Sequence, residues 1–311
     1  MFGYDKAEKR VNTKTIALPQ NSRRGFLRGV GLGAASAATL GGGALLASAA
    51  KADATLDLEI LNFALNLEYL EASFYLLAAT GQGIPTQFLG SNPGTITGGS
   101  QVTFNNPLVE AYANEIAQEE LAHVKFLREA ITAAKSTPVS CPNIDFTDAF
   151  ITLGNASGVS SKFNPFADAT QFLLGSYVFE DVGVTAYHGA ATLISTPAYL
   201  DAAAGIMAVE AYHAGLIRTV LFAGGYNSQT AAISNVRAML DGTSGTSNID
   251  DYGVGTAKYP SIVLSSNYKN GSNGHAIAFD RTTRQVLNIV YGGANATKGL
   301  FFPSGLNGAI K

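Results

Sequence analysis

Two glutamate–histidine pairs lie on the apolar faces of predicted helices, and this feature constrains the fold more than any other. The first pair is Glu120 and His123, in the segment NEIAQEELAHVKFL at residues 114–127. At about 100° per residue, both side chains fall within about 80° of Tyr112 on a helical wheel, on the same side as Ile116. A buried carboxylate is costly unless a cation or a metal ion compensates it. The pair therefore needs a partner from elsewhere in the fold.

The second pair is Glu210 and His213, in the segment GIMAVEAYHAGLI. Ile206, Leu216 and Glu210 all lie within about 60° of His213 on the wheel. Two of the four histidines thus follow a glutamate by three residues, which chance would produce roughly 1% of the time. One such pair is a weak signal, but two on separate apolar faces indicate a shared site.

Two further glutamates occupy the centres of apolar helical faces. Glu68 lies in NLEYLEASFY and Glu180 in SYVFEDVGVTAY, and a tyrosine follows each by seven residues, Tyr75 and Tyr187. Both tyrosines are predicted to be core residues that bond to the carboxylates, with a redox role as the alternative. Glu71 falls about 60° from the centre and is predicted to be a charge at the rim. The first segment in the chain resembles the third, and the second resembles the fourth, which predicts a pseudo-twofold arrangement.

Helix periodicity and Gly/Pro stop signals predict an all-α bundle. The four main helices are expected at residues 56–79, 107–134, 165–194 and 198–222, with a shorter helix at 228–240. Residues 135–164 between the second and third helices are long enough for a crossover from one end of the bundle to the other. The Gly/Ser/Thr/Asn-rich residues 81–106 form an unusually long first loop.

The last segment, residues 241–311, is polar and Gly-rich at first and apolar again near its end. It is predicted to pack as a tail on the bundle at 53–240, with free disorder as the alternative for its first half. Within it, QVLNIVY is predicted to form a short strand or an extended segment.

Residues 1–52 have the features of an export signal. NSRRGFLR, with Arg23 and Arg24, precedes an uncharged run at residues 29–50 and a small-residue cleavage site. The paired arginines resemble a twin-arginine signal, which predicts a periplasmic or extracellular product cleaved after Ala52. Cleavage would leave no stable membrane insertion, whereas an uncleaved anchor is the alternative. Other cleavage positions are Ala49 and Ala54.

Charge and cysteine content exclude several function classes. After residue 52 the chain has 12 Lys/Arg and 21 Asp/Glu, a net charge of −9, and no basic cluster. This balance argues against nucleic acid or anionic membranes as partners. Cys141 is the only cysteine, so the chain has no internal disulfide and no zinc site built from thiolates.

Together, four carboxylates and two imidazoles on facing helices form a set of oxygen and nitrogen metal ligands. A glutamate from each of two helices and Glu-x-x-His from each of two others is the di-iron or di-manganese site of ferritin-like bundles. Bridging carboxylates would cancel most of the charge of two divalent ions, which resolves the burial problem.

The chain resembles the ferritin-like domain family, in particular its exported, desiccation-related branch. The resemblance rests on ILNFALNLEYLEASFY, EELAH, EAYH and the terminal RTTRQVLNIVYGG and GLFFPSGLNG, and it covers about residues 54–311. It implies a four-helix bundle with a long crossover between helices two and three. By motif, the implied metal ligands are Glu68, Glu120, His123, Glu180, Glu210 and His213. Two histidine ligands are closer to the bacterioferritin and rubrerythrin type than to the single-histidine ferritin site.

The resemblance also implies a function. Two bound metal ions, iron or alternatively manganese, would react with O2 or hydrogen peroxide in protection against oxidative or desiccation stress. An oxidase or a peroxide-scavenging activity is therefore expected. A homo-oligomer is compatible with this family, but the long first loop and the tail argue against a 24-subunit storage cage. The alternative is a structural or interaction protein of the cell envelope with a stabilising or vestigial metal site.

Overall fold

The structure, a computed structural model, describes residues 43–243, 251–255 and 277–311, with side chains from residue 53 onward. The predicted twin-arginine segment and most of the apolar run after it lie outside the described residues. The same is true of residues 244–250 and 256–276 of the predicted tail.

The described part of the chain is mostly helical, which confirms the all-α prediction. Its helices are α1 Gly43–Thr80, α2 Pro107–Ala133, α3 Asp148–Ser157, α4 Ala169–Ala191, α5 Pro197–Ala223, α6 Asn227–Leu240 and α7 Thr283–Tyr291. Two very short strands, β1 Ile96–Thr97 and β2 Ile144–Asp145, pair in parallel.

The four long helices form the predicted bundle as two paired units. Helix α1 packs along α2, and α4 packs along α5, while α1 also meets α4 and α2 meets α5 across the bundle. Helix α1 begins at Gly43 rather than at residue 56, so it runs through the predicted cleavage position. Helix α4 begins at Ala169 rather than at residue 165, because the Asp168 side chain caps it by accepting the Gln171 N–H at 2.8 Å.

An aromatic cluster fills one side of the bundle core and includes residues far apart in sequence. The Phe74 ring stacks on Phe172 at 5.7 Å between centroids, and Phe150 meets Phe179 at 5.6 Å and Phe301 at 5.1 Å. Such ring contacts add to the free energy gained from burial. The crossover and the C-terminal segment therefore belong to the same core as the bundle.

The crossover contains helix α3, which the sequence analysis did not predict. The Asp145 carboxylate accepts the N–H groups of Thr147 and Asp148 at 2.7 and 2.9 Å, and Gly158 ends the helix with φ at 71°. A left-handed residue of this kind is a common helix end, and glycine adopts it without strain. The parallel pairing of Ile96 with Ile144 joins the first loop to this crossover.

The prediction of a strand or an extended segment at QVLNIVY is wrong, because these residues form helix α7. Thr282 and Gln285 form a reciprocal capping box at its start, and Gly292 ends it with φ at 73°. Val286, Leu287 and Val290 are buried against the bundle. The capping pair and the terminal glycine outweigh the strand preference of the valines and isoleucine.

A buried ionic network joins the tail to the bundle. Arg237 of α6 bonds to Asp251 at 2.8 Å and to Asp181 of α4 at 2.7 Å. Arg281, just before α7, bonds to Asp251 at 2.6 Å. Arg218 of α5 also reaches Asp181, at 2.8 Å. Because these groups are almost fully buried, each charge depends on its partners for compensation.

Among the described helices, α5 is long and apolar enough to cross a membrane by length and composition alone. It also carries Glu210, His213 and Arg218, which are buried inside the bundle. Core helices of globular bundles pass the same test.

Candidate metal centre

The structure brings all six predicted ligand residues together in the middle of the bundle. Helices α1 and α4 each contribute one carboxylate, and α2 and α5 each contribute a Glu-x-x-His pair. Their relative exposures are zero except for His123, at 8%. The residues are Glu68, Glu120, His123, Glu180, Glu210 and His213.

Glu120 lies between the two histidines and faces both. Its Oε2 atom is 3.3 Å from Nδ1 of His123, and its Oε1 atom is 3.0 Å from Nδ1 of His213. Each histidine also meets the single carboxylate of one helix: His123 Nδ1 is 3.2 Å from Glu68 Oε2, and His213 Nδ1 is 3.4 Å from Glu180 Oε2. The site is thus built from two similar halves.

Potential ligand atoms in these halves lack the hydrogen bonds that buried polar atoms normally make. Several of these atoms are close to one another, as His213 Nδ1 is to Glu120 Oε1, but none makes a well-directed hydrogen bond. The atoms concerned are Glu68 Oε2, Glu120 Oε1, Glu180 Oε2, both carboxylate oxygens of Glu210, and His213 Nδ1. Native proteins rarely leave so many buried polar atoms unpaired at one place, and the binding of a metal ion there is one established reason.

Two groups of four residues each bring their ligand atoms within 4.8 Å of one another. One group is Glu68, Glu120, His123 and Glu210, and the other is Glu120, Glu180, Glu210 and His213. Glu120 and Glu210 belong to both groups, as carboxylates that bridge two ions would. The carboxylate-rich donor set with two imidazoles fits a pair of iron or manganese ions.

The two tyrosines cross between the halves. Tyr75 on α1 donates its hydroxyl hydrogen to Glu180 on α4, and Tyr187 on α4 donates to Glu68 on α1. Each phenol thereby holds the carboxylate of the opposite helix and leaves its second oxygen facing the histidines. Burial and the adjacent carboxylates raise the pKa of both tyrosines well above the usual value, so both phenols keep their hydrogens.

Protons compensate the carboxylates when no metal is bound. Burial favours a low pKa for His123, but the carboxylates of Glu68 and Glu120 outweigh it and raise that pKa to about 12. For His213, Glu180 and Glu120 outweigh burial in the same way and raise its pKa. Burial raises the pKa of Glu68 to about 7. Metal binding must therefore displace protons from this site.

Sequence reasoning missed Glu119, which supports one histidine from outside the cluster. Its Oε2 atom accepts a hydrogen bond from His213 Nε2 at 2.7 Å, while Nδ1 of the same ring faces Glu120. A carboxylate on the outer ring nitrogen orients the inner nitrogen toward a metal ion. The doubled glutamate of QEEL is the one sequence feature that hints at this role, since the contact itself joins α2 to α5.

The prediction that Glu71 is a rim charge is wrong, because only 5% of this residue is exposed. Burial, together with the charges of Glu120 and Glu180, raises the pKa of the Glu71 carboxyl well above its usual value. Helix α4 approaches closely at Gly183, and this covers the edge of the apolar face where Glu71 lies.

Comparisons with known proteins agree with this geometry. The family model of the ferritin-like domain matches residues 56–223. The chain is 27% identical over 276 residues to the ferritin-like catalase Nec2 of Nesocodon mauritianus, which covers 82% of this chain and 84% of that protein. It is 28% identical over 246 residues to the desiccation-related protein PCC13-62 of Craterostigma plantagineum, with 74% and 76% covered. No solved structure shows significant similarity to the chain.

The matched region extends from the first ligand helix to the end of the last one, and both relatives align over about three quarters or more of their length. The chain belongs to the ferritin-like domain family, in its desiccation-related branch.

Proposed function

We propose that this protein is an exported, peroxide-consuming protein with two metal ions, either iron or manganese. The observation that carries the proposal is the set of buried carboxylate and imidazole atoms that lack hydrogen-bond partners at one place in the bundle. Similarity to a protein named as a ferritin-like catalase favours hydrogen peroxide over O2 as the oxidant. Similarity to a desiccation-related protein favours a role in stress protection.

In the proposed reaction, one hydrogen peroxide is oxidised to O2 while a second is reduced to two molecules of water. A bound metal pair would supply the electron storage that links the two half-reactions. Glu68, Glu120, His123 and Glu210 would hold one ion, and Glu120, Glu180, Glu210 and His213 would hold the other.

The protein's own residues position the ligands and control access to them. Tyr187 keeps Glu68 in place through its hydroxyl group. Among the six candidate ligand residues, His123 is the most exposed, at 8%, so a small oxidant would enter past this side chain.

Metal analysis and O2 release from peroxide test the proposal together. Mature protein loaded with Mn²⁺ or Fe²⁺ is expected to hold two ions per chain and to release O2 from hydrogen peroxide. His123→Ala should lose both properties, whereas Glu129→Gln, at an exposed position of α2, should keep them. Two bound ions without peroxide consumption would favour a structural role for the metal. A wild-type protein that binds no ions would overturn the proposal.

A further inference from the structure

Glu71 is a buried carboxylate that the six-residue ligand pattern does not include. It lies one helical turn after Glu68 on α1 and is 95% buried. At Gly183 it lies beside the buried carboxylate of Glu210. A carboxylate buried next to other carboxylates is costly, so this position needs a compensating group.

Gly183 is the place where Glu71 and Glu210 come together. A Cβ atom at Gly183 would lie 2.2 Å from Glu210 Oε2 and 3.4 Å from Glu71 Oε1. The first distance is shorter than any real carbon contact, so only glycine leaves room for Glu210 as it stands. Both oxygens of Glu210 lack hydrogen-bond partners. Burial raises the pKa of the Glu210 carboxyl well above its usual value, and among the neighbouring charges Glu71 raises it most.

The pseudo-twofold relation shows that this arrangement occurs on one side only. Glu68 of α1 corresponds to Glu180 of α4, and three residues further on Glu71 corresponds to Gly183. One helix thus supplies an additional carboxylate, and its counterpart supplies the space beside it. A substitution of either residue by its counterpart would remove the asymmetry.

We propose that Glu71 is a seventh ligand residue, which supplies an additional carboxylate oxygen to the metal pair beside Glu210. This inference rests on the proposed function. Two divalent ions balance four carboxylates, so a fifth carboxylate leaves one additional negative charge at the centre. The centre would then hold one of its two ions more tightly than the six-residue set alone, and it would favour a higher total metal charge.

Calorimetric titration of metal-free mature protein with Mn²⁺ tests this role directly, with Glu71→Gln as the principal variant. Glutamine has nearly the same volume but no charge, and Glu129→Gln is the matched control on an exposed face. We expect Glu71→Gln to weaken the binding of one of the two ions at least tenfold. Gly183→Ala, which crowds Glu210 and Glu71, should weaken binding similarly, while Glu129→Gln should bind as the wild type does.

Thermal melting of the metal-free proteins separates a ligand role from a structural one. Removal of a carboxylate from an acidic cluster should not weaken the fold, so metal-free Glu71→Gln is expected to melt no lower than the wild type. Two ions bound with unchanged affinities in Glu71→Gln would overturn the seventh-ligand inference and leave the proposed function standing. A wild-type protein that binds no Mn²⁺ or Fe²⁺ would overturn both.

Discussion

Replacement of Glu119 by glutamine tests how the protein orients a candidate metal ligand. Glu119 Oε2 lies 2.7 Å from His213 Nε2, and the side chain is 38% exposed. Loss of such a supporting carboxylate typically weakens metal binding by about 10–100-fold, or about 1.4–2.7 kcal/mol. Since solvent screens part of this interaction, we expect a change of about tenfold.

Glu119→Gln should weaken the binding of only one of the two metal ions. The residue that corresponds to Glu119 in the other Glu-x-x-His segment is Val209, which has no carboxylate. Titration with Mn²⁺ should therefore show one weakened and one unchanged binding step. Glu115→Gln is the matched control, because Glu115 lies on the same helix and bonds to Tyr212 rather than to a histidine. Equal affinities in wild type and Glu119→Gln would refute the reasoning.

Three further predictions concern stability and export. The pKa of Glu68 is raised from 4.5 to about 7 in the folded protein, so its stabilising contribution is complete below pH 4.5 and is lost as the pH rises through 7. Glu68 alone should remove about 3 kcal/mol of unfolding free energy from the metal-free protein over that window, and the raised pKa of Glu71 should add to the loss; the metal-loaded protein should show no such loss, and urea denaturation at several pH values measures both. Arg237→Met removes one of the two arginines that compensate Asp251, which then keeps only Arg281, and should lower the unfolding free energy by about 3 kcal/mol; a loss below about 1 kcal/mol would contradict the role of the ionic network. Replacement of both arginines, Arg23→Lys and Arg24→Lys, should leave the precursor in the cytoplasm. Cell fractionation that finds mature protein outside the cytoplasm at the normal level would exclude a twin-arginine signal.

The bundle and the meeting of the six candidate ligand residues in its middle were predictable because both depend on a 3.6-residue period. Glu68 and Glu180 lie at the centres of long apolar faces, and the two Glu-x-x-His pairs lie on faces of the same kind. An ionisable residue at such a position has few explanations other than a partner or a metal ion. The family resemblance then assigned a role to each position.

The position of Glu71 was not predictable from its own helix. A helical wheel places this residue at the edge of the apolar face, and its burial depends on how closely α4 approaches at Gly183. That distance is a tertiary property of two helices. The contact of Glu119 with His213 was missed for the same reason, because it joins α2 to α5.

Local end signals explain the errors outside the bundle. Helix α7 has an amphipathic pattern too short to distinguish from a strand by period alone, and the decisive residues were Thr282, Gln285 and Gly292 at its ends. The ionic network escaped prediction because Arg237, Asp251 and Arg281 are remote in sequence or lie in different elements. Only the folded chain brings them together.

The most direct test of the central claim is the metal content of the mature protein, measured by mass spectrometry after anaerobic loading with Fe²⁺ or Mn²⁺ and removal of free ions. The wild type is expected to retain two ions per chain, and Glu210→Ala should lose most of them, because Glu210 belongs to both groups of candidate ligands. Wild-type protein that retains no ions, or Glu210→Ala that retains two, would contradict a metal pair at this site.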